Sequence, residues 1–352
     1  MKTLEIHSSH PYKVRIGSGL LSDAGKFIRE CGNYGKAAVV CDDVTFALFG
    51  SALKESLETY GIPSCFFSFP HGETSKNINT LQEIYSFLVR EEITRGDFLI
   101  ALGGGVVGDI TGFAAATYLR GVDCVQIPTT LISQTDSSVG GKTAVNLPEG
   151  KNLCGCFHSP KLVLCDTDTI QEPFLIREGI AEVIKYGLLA DPELFSLLES
   201  ADVKEHLEEI VTRSISIKAQ IVERDEWDLG ERQLLNLGHT LGHGVEKLSG
   251  FTVPHGIAVG IGISMVLSAC VANGLLDKAV LERLYKMFRR FELPVAYENA
   301  RLEEIAKVAF SDKKRFGGDI NLIVCTEIGR CSIKKMPIGE LEPFIRRGWS
   351  GR

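Results

Sequence analysis

A chain of 352 residues that is 44% hydrophobic and 24% charged has material for two globular domains and is too apolar for a disordered protein. Its formal charge of −7 argues against a nucleic-acid partner, which needs a basic surface; a small anion held by locally gathered lysines and arginines stays open. The opening MKTLEIHSSHPYKV has no apolar stretch of signal-peptide type, so a cytoplasmic location with ten reduced cysteines is expected. None of these forms a Cys-x-x-Cys pair.

In chain order, residues 4–16 predict an antiparallel edge hairpin. Strands follow at 37–41, 64–69, 98–102, 124–128 and 162–165, with helical spacing of apolar residues at 44–60 and 78–90 between them. That alternation implies a mostly parallel sheet with helices on its faces. Lys142 and Lys151 fall in Gly/Ser/Asn-rich stretches read as loops. Cys154, Cys156 and His158 lie close together there, but without a fourth ligand they are not expected to hold a metal.

From about residue 172 the pattern becomes long and amphipathic, at 175–198, 203–223, 234–248 and 278–291, with a short hairpin expected at 320–325 and 331–335. Residues 257–276 carry no charge and are long enough to cross a bilayer. Three glycines, two serines and Asn273 within them favour a buried helix and no membrane partner. The expected organisation is a Rossmann-like α/β domain over residues 1–171 and a mainly helical domain over 172–352.

Strand 98–102 runs into Gly103, Gly104, Gly105, Val106, Val107, Gly108 and Asp109, a G-x-G-x-x-G turn that opens a helix. Glycines there let a pyrophosphate approach the backbone, and the helix N-terminus favours its charge. A ribose-binding acid is sought about 20 residues further on, where Asp123 stands. Asp42, at the end of an earlier strand, is an equal candidate.

His239 and His243 are spaced i, i+4 on one predicted helix face, a pattern that suits a transition metal. His255 lies sixteen residues beyond His239, about 24 Å along a continuous helix, so it joins them only if the chain reverses; Gly250 and Pro254 predict that reversal. A carboxylate would complete a three-ligand site, and Glu182 in GIAEVIKYG is the best candidate.

With these residues in view, HGETSKN, GGGVVGDITGF, YLRGV, QIPTTLISQTDSSVGGKTAVN, GKN, GIAEVIKYG, LLNLGHTLGHGVE, HGIAVGIG and DKK resemble, in order, the 3-dehydroquinate synthase family of sugar phosphate cyclases. The resemblance implies an NAD-binding α/β domain followed by a helical metal-binding domain in a homodimer. It implies zinc or cobalt on Glu182, His239 and His255, with His243 facing substrate. NAD would be held by Asp42, Glu73, Lys76, the Gly103 to Asp109 turn, Thr129 and Thr130, with Asp136, Lys142 and Lys151 shared with substrate. Asn152, Lys185, Lys218, Arg232, Asn236, Lys313 and Lys314 complete the implied substrate set, and Arg120 would reach in from a second subunit. The implied reaction converts 3-deoxy-D-arabino-heptulosonate 7-phosphate (DAHP) to 3-dehydroquinate and phosphate in aromatic amino acid biosynthesis. The alternatives are an inosose or valiolone synthase and a metal-dependent polyol dehydrogenase. One departure stands out: the family pattern has arginine and glutamate where this chain has Trp227 and Asp228.

Overall fold

The computed structural model describes residues 1–311 and 318–349. The chain divides into two compact units, one formed by Met1–Gln171 with Leu207–Trp227 and the other by Glu172–His206 with Asp228–Arg352.

The first unit opens with β1 (Lys2–Ile6) and β2 (Tyr12–Gly17), an antiparallel pair, followed by α1 (Ala24–Arg29), β3 (Ala37–Asp42), α2 (Asp43–Thr59), β4 (Ser64–Phe69), α3 (Ile78–Arg90), β5 (Phe98–Gly103), α4 (Gly105–Thr117) and β6 (Asp123–Pro128). A hairpin, β7 (Lys142–Leu147) and β8 (Gly150–Phe157), precedes β9 (Leu162–Asp166). The seven-stranded sheet has the order β1-β2-β9-β6-β5-β3-β4, every pairing parallel except β1 with β2. Alternation along the strands sends Val39, Ile100, Leu102, Ile127 and Leu164 to one face, under α1 and α2. Ala38, Val40, Leu99, Ala101 and Cys124 go to the other, under α3 and α4. Near-continuous apolar strands are what a parallel sheet covered on both faces requires.

The second unit begins with α5 (Pro173–Ala190) and α6 (Pro192–Ser200), after which α7 (Leu207–Arg224) returns to the first unit and packs on β1 and β2. It resumes with α8 (His239–Leu248), α9 (His255–Ala272), α10 (Lys278–Arg290), α11 (Leu302–Ser311), the antiparallel hairpin β10 (Asp319–Glu327) and β11 (Arg330–Pro337), and α12 (Ile338–Trp349). The uncharged α9 is the axis of this unit: Gly256 to Cys270 are all buried, and α5, α8, α10 and α12 pack around it. Helix α8 approaches it closely because a Cβ on Gly262 would sit 1.9 Å from the Gly238 carbonyl oxygen.

Several elements differ from the expected ones for local reasons. The lysine-bearing stretch read as loops is the β7–β8 hairpin, whose period is hidden because β8 has no fully buried residue and exposes half of its length. The run at 175–198 breaks at Asp191, whose side chain accepts from Leu194 N at 2.9 Å and so caps a separate helix ahead of Pro192. The run at 234–248 is a 3₁₀ turn, Glu231–Asn236, then Gly238 at φ 82°, and only then α8. A single boundary at residue 171 also misses the return of α7, whose buried stripe pairs with strands that lie far back in sequence.

Candidate functional site

In the first unit the chain leaves β3 outward to β4 and comes back to β5 on the other side of β3, so the carboxyl ends of β3 and β5 flank the point where the winding reverses, the usual place for a ligand crevice in open α/β sheets. Asp42 ends β3 and Gly103 ends β5. Asp42 caps α2, its Oδ1 accepting from Thr45 N at 2.7 Å. Asp123 stands at the opposite end: β5 and β6 pair Phe98 with Asp123 and Gly103 with Pro128, which sets Asp123 about 16 Å from the turn. It accepts from the Tyr34 hydroxyl at 3.0 Å and faces Lys161. Its spacing in sequence is therefore coincidence.

The glycine turn is shaped by close packing. A Cβ on Gly103 would lie 2.6 Å from Val107, one on Gly104 3.3 Å from Thr130, and one on Gly108 2.8 Å from Gln126, whose amide donates to Gly108 O at 3.1 Å. Gly104 caps α4, whose first-turn N–H groups are offered to an anion without a competing side-chain cap. Thr129 N donates to Gly103 O at 3.0 Å, which holds the ends of β5 and β6 together.

Beside the turn lies a polar ring. The buried Lys76 ammonium pairs with Asp109 of α4 and donates to Asn152 Oδ1 at 2.6 Å. Burial pushes the Asp109 carboxyl upward against the pull of Lys76. Lys151 reaches Glu73 at 3.8 Å. Asp136, on a π-helical turn Ser133–Ser137, accepts from Lys218 of α7 at 2.9 Å. Lys142 is exposed at the start of β7, and Arg120 is exposed with φ 68°.

In the second unit the reversal at Gly250 and Pro254 returns the chain along α8, so that the His239 and His255 rings lie 5.3 Å apart. Glu182, fully buried in α5, offers Oε1 to His239 Nε2 at 3.4 Å and to His255 Nε2 at 3.6 Å. Ligands about 2.1 Å from a tetrahedral ion lie about 3.4 Å from one another, so these three atoms fit one cation. The outer nitrogens are oriented too: His239 Nδ1 lies 3.2 Å from Leu237 O and His255 Nδ1 3.3 Å from Glu246 Oε2. Lys185 Nζ lies 2.5 Å from Glu182 Oε2, a fully buried pair. Burial drives His239 down to about 3, leaving a neutral imidazole. Burial would lower His255 as well, but its bonds to the Glu182 and Glu246 carboxylates outweigh that and raise it to about 10. His243 is 60% exposed and stands outside this triad, although its ring stacks on His255 at 6.0 Å. Cys154 and Cys156 pack against the first unit's core, and a His158 ring nitrogen lies 3.1 Å from Val122 O.

Residues 66–174 match the family described as 3-dehydroquinate synthase N-terminal, and residues 179–315 the one described as 3-dehydroquinate synthase C-terminal. The sequence is 40% identical to a 3-dehydroquinate synthase of Enterococcus faecalis over 99% of both chains. It is also 40% identical to one of Streptococcus pneumoniae, over 96% of this chain and 97% of that one. The chain belongs to the 3-dehydroquinate synthase family. A solved 2-epi-5-epi-valiolone synthase of Streptomyces hygroscopicus, with NAD+ and Zn2+ bound, is similar to this synthase-family chain at a TM-score of 0.88 and 26% identity, covering 99% of this chain and 98% of that one.

Of the remaining residues singled out in this member of the synthase family, Arg232 is buried in the 3₁₀ turn, Asn236 is exposed at its end, and Lys313 and Lys314 lie outside the described residues. Trp227 stacks edge-on against Phe157 at 5.1 Å, and Asp228 follows at φ 59°. Sequence reasoning missed Glu246, seven residues after His239 on the same helix face; that spacing was the available signal. It also missed Glu178, one turn before Glu182, whose carboxyl burial raises and His255 lowers.

Proposed function

We propose that this chain is a 3-dehydroquinate synthase, a phosphate-eliminating carbon–oxygen lyase that converts DAHP to 3-dehydroquinate with NAD and a divalent metal. The observation that carries the reading is the Glu182, His239 and His255 triad with Lys185 buried against it, in a chain of this family. When bound, zinc or cobalt supplies a Lewis acid that eases deprotonation of a substrate hydroxyl, and NAD supplies a transient hydride acceptor. Glu182, His239 and His255 would hold the metal; Asp42, Glu73, Lys76, Thr129, Thr130 and the Gly103 to Asp109 turn would hold NAD.

The remaining residues bind and orient an anion. Lys142, Lys151, Asn152 and Lys185 are suited to a departing phosphate, and Lys218, Arg232 and Asn236 to the rest of an acid substrate, with Asp136 fixing Lys218. Lys313 and Lys314 belong to the same proposed set. Oxidation next to the leaving group acidifies the carbon that loses its proton, and the substrate's own phosphate oxygen takes that proton. After hydride return and ring opening, His243, exposed and with its ring 6.0 Å from that of His255, would move protons during the closing aldol step. The resemblance also supports a cytoplasmic homodimer in which Arg120 serves a second copy.

The test compares phosphate release from DAHP, sedoheptulose 7-phosphate and glucose 6-phosphate, with and without chelator. Chelator-sensitive release from DAHP alone is expected. Release from either carboxylate-free sugar phosphate in preference to DAHP would instead identify a valiolone or inosose synthase. Net NADH formation with glycerol-like alcohols would identify a polyol dehydrogenase.

A further inference from the structure

The β7–β8 ladder is regular from Lys142 to Val145, then shifts register between Val145 and Leu147. Between those pairs β7 has the single residue Asn146 and β8 has three, Lys151 to Leu153, so the bulge lies on β8 and leaves Asn146 out of the ladder opposite it. The Asn146 backbone N–H donates to Lys76 O at 2.8 Å, and Asn146 forms an isolated parallel bridge with Asn77, so the hairpin is tied at this point to the 73–77 turn.

Its side chain is used at both ends. Nδ2 donates to Glu73 Oε1 at 2.6 Å, and Oδ1 accepts from Asn152 N at 2.9 Å. Only one orientation of the amide satisfies a carboxylate and an N–H together, so the two bonds fix each other. Asn152 also sits at φ 57°, in the left-handed region that asparagine adopts more readily than most side chains. From there its Oδ1 meets Lys76.

We propose that Asn146 is a positioning residue that sets Glu73 for the nicotinamide dinucleotide and Asn152 for the substrate phosphate, so that one amide aligns both subsites. The inference rests on the site assignment given under Proposed function. Asn146 itself touches neither ligand; it acts through the two groups it holds.

A double-mutant cycle on the metal-loaded enzyme tests this, with NAD affinity read by calorimetry and DAHP turnover at saturating NAD. N146A is expected to raise the Kd for NAD about tenfold, as fits loss of a hydrogen bond to a charged group, and to raise the KM for DAHP by a similar factor. In an E73A background the same substitution should change NAD affinity by less than about twofold, because the group it acts through is gone. A merely structural role predicts equal weakening in both backgrounds, and that result, or an unchanged Kd in N146A, overturns the inference. If E73A alone leaves NAD affinity intact, the site assignment fails and takes the inference with it. N146L, which keeps the branched shape of asparagine without its hydrogen-bonding atoms, replaces the alanine variant should that one not fold.

Discussion

Around the glycine turn of the first unit, ligand contacts are offered by backbone N–H groups and by side chains such as Asp42 and Glu73 that remain partly exposed and already serve a cap or a hydrogen bond. In the second unit the working groups are a buried carboxylate, a buried lysine and two imidazoles aimed by outer partners. The first arrangement distributes binding over many weak donors. The second concentrates charge where water cannot screen it, so losing one member leaves its neighbours uncompensated. Graded loss of affinity is expected in the first unit, and near all-or-none loss in the second.

The sharpest test is His255→Ala, which should abolish stoichiometric metal by elemental analysis and lower kcat/KM for DAHP about a thousandfold, the several kcal/mol of a Lewis acid. Full turnover in the metal-depleted variant would remove His255 from the ligand set. Next comes Glu246→Ala, expected to weaken metal affinity about 10–100-fold in a chelator competition. Glu246→Gln keeps an acceptor for His255 Nδ1 and should lose much less; equal losses would mean that the carboxylate's charge matters and its bond does not.

On the nucleotide side, Asp42→Ala should cost about 1 kcal/mol through the lost α2 cap and raise the Kd for NAD about tenfold. Its kcat at saturating NAD should stay within about twofold of the parent, and a collapse of kcat would erase the contrast between the units. The smallest effect is expected at Glu199, which lies in neither set. The hydrogen-bonded Arg283 holds its carboxyl below the ordinary range, so the pair's contribution to stability is present above the usual glutamate pKa and fades as pH falls through the lowered one. Glu199→Gln should therefore lower stability by about 0.2–1 kcal/mol at pH 7, with that deficit vanishing in acid and activity unaffected.

The same contrast explains what could be read from the sequence. The parallel sheet was legible because its strands are apolar runs set off by glycine, proline or polar residues, and the cluster of Glu182, His239 and His255 because those residues sit on helices whose starts are marked by glycine or proline. Spacing alone could not choose between Asp123 and Asp42, because distance along a chain does not report which end of a strand a residue occupies; the β5–β6 register does. Asn146 and the hairpin that carries it were hidden because a bulge breaks the period on which strand reading depends. Glu246 was hidden because a carboxylate on an amphipathic helix reads as surface until the neighbouring helix is in place.

The return of α7 makes the first unit discontinuous in sequence, and this has a consequence for how the chain is made. After Gln171 leaves the ribosome, synthesis has to continue to Trp227 before the unit is complete, roughly 3–11 s at about 5–20 residues per second. During that interval β1 and β2 lack their covering helix, and Asp136 lacks Lys218. A nascent chain cut at residue 171 would thus leave β1 and β2 without their covering helix, so an N-terminal fragment ending there lacks part of the packing of its own unit.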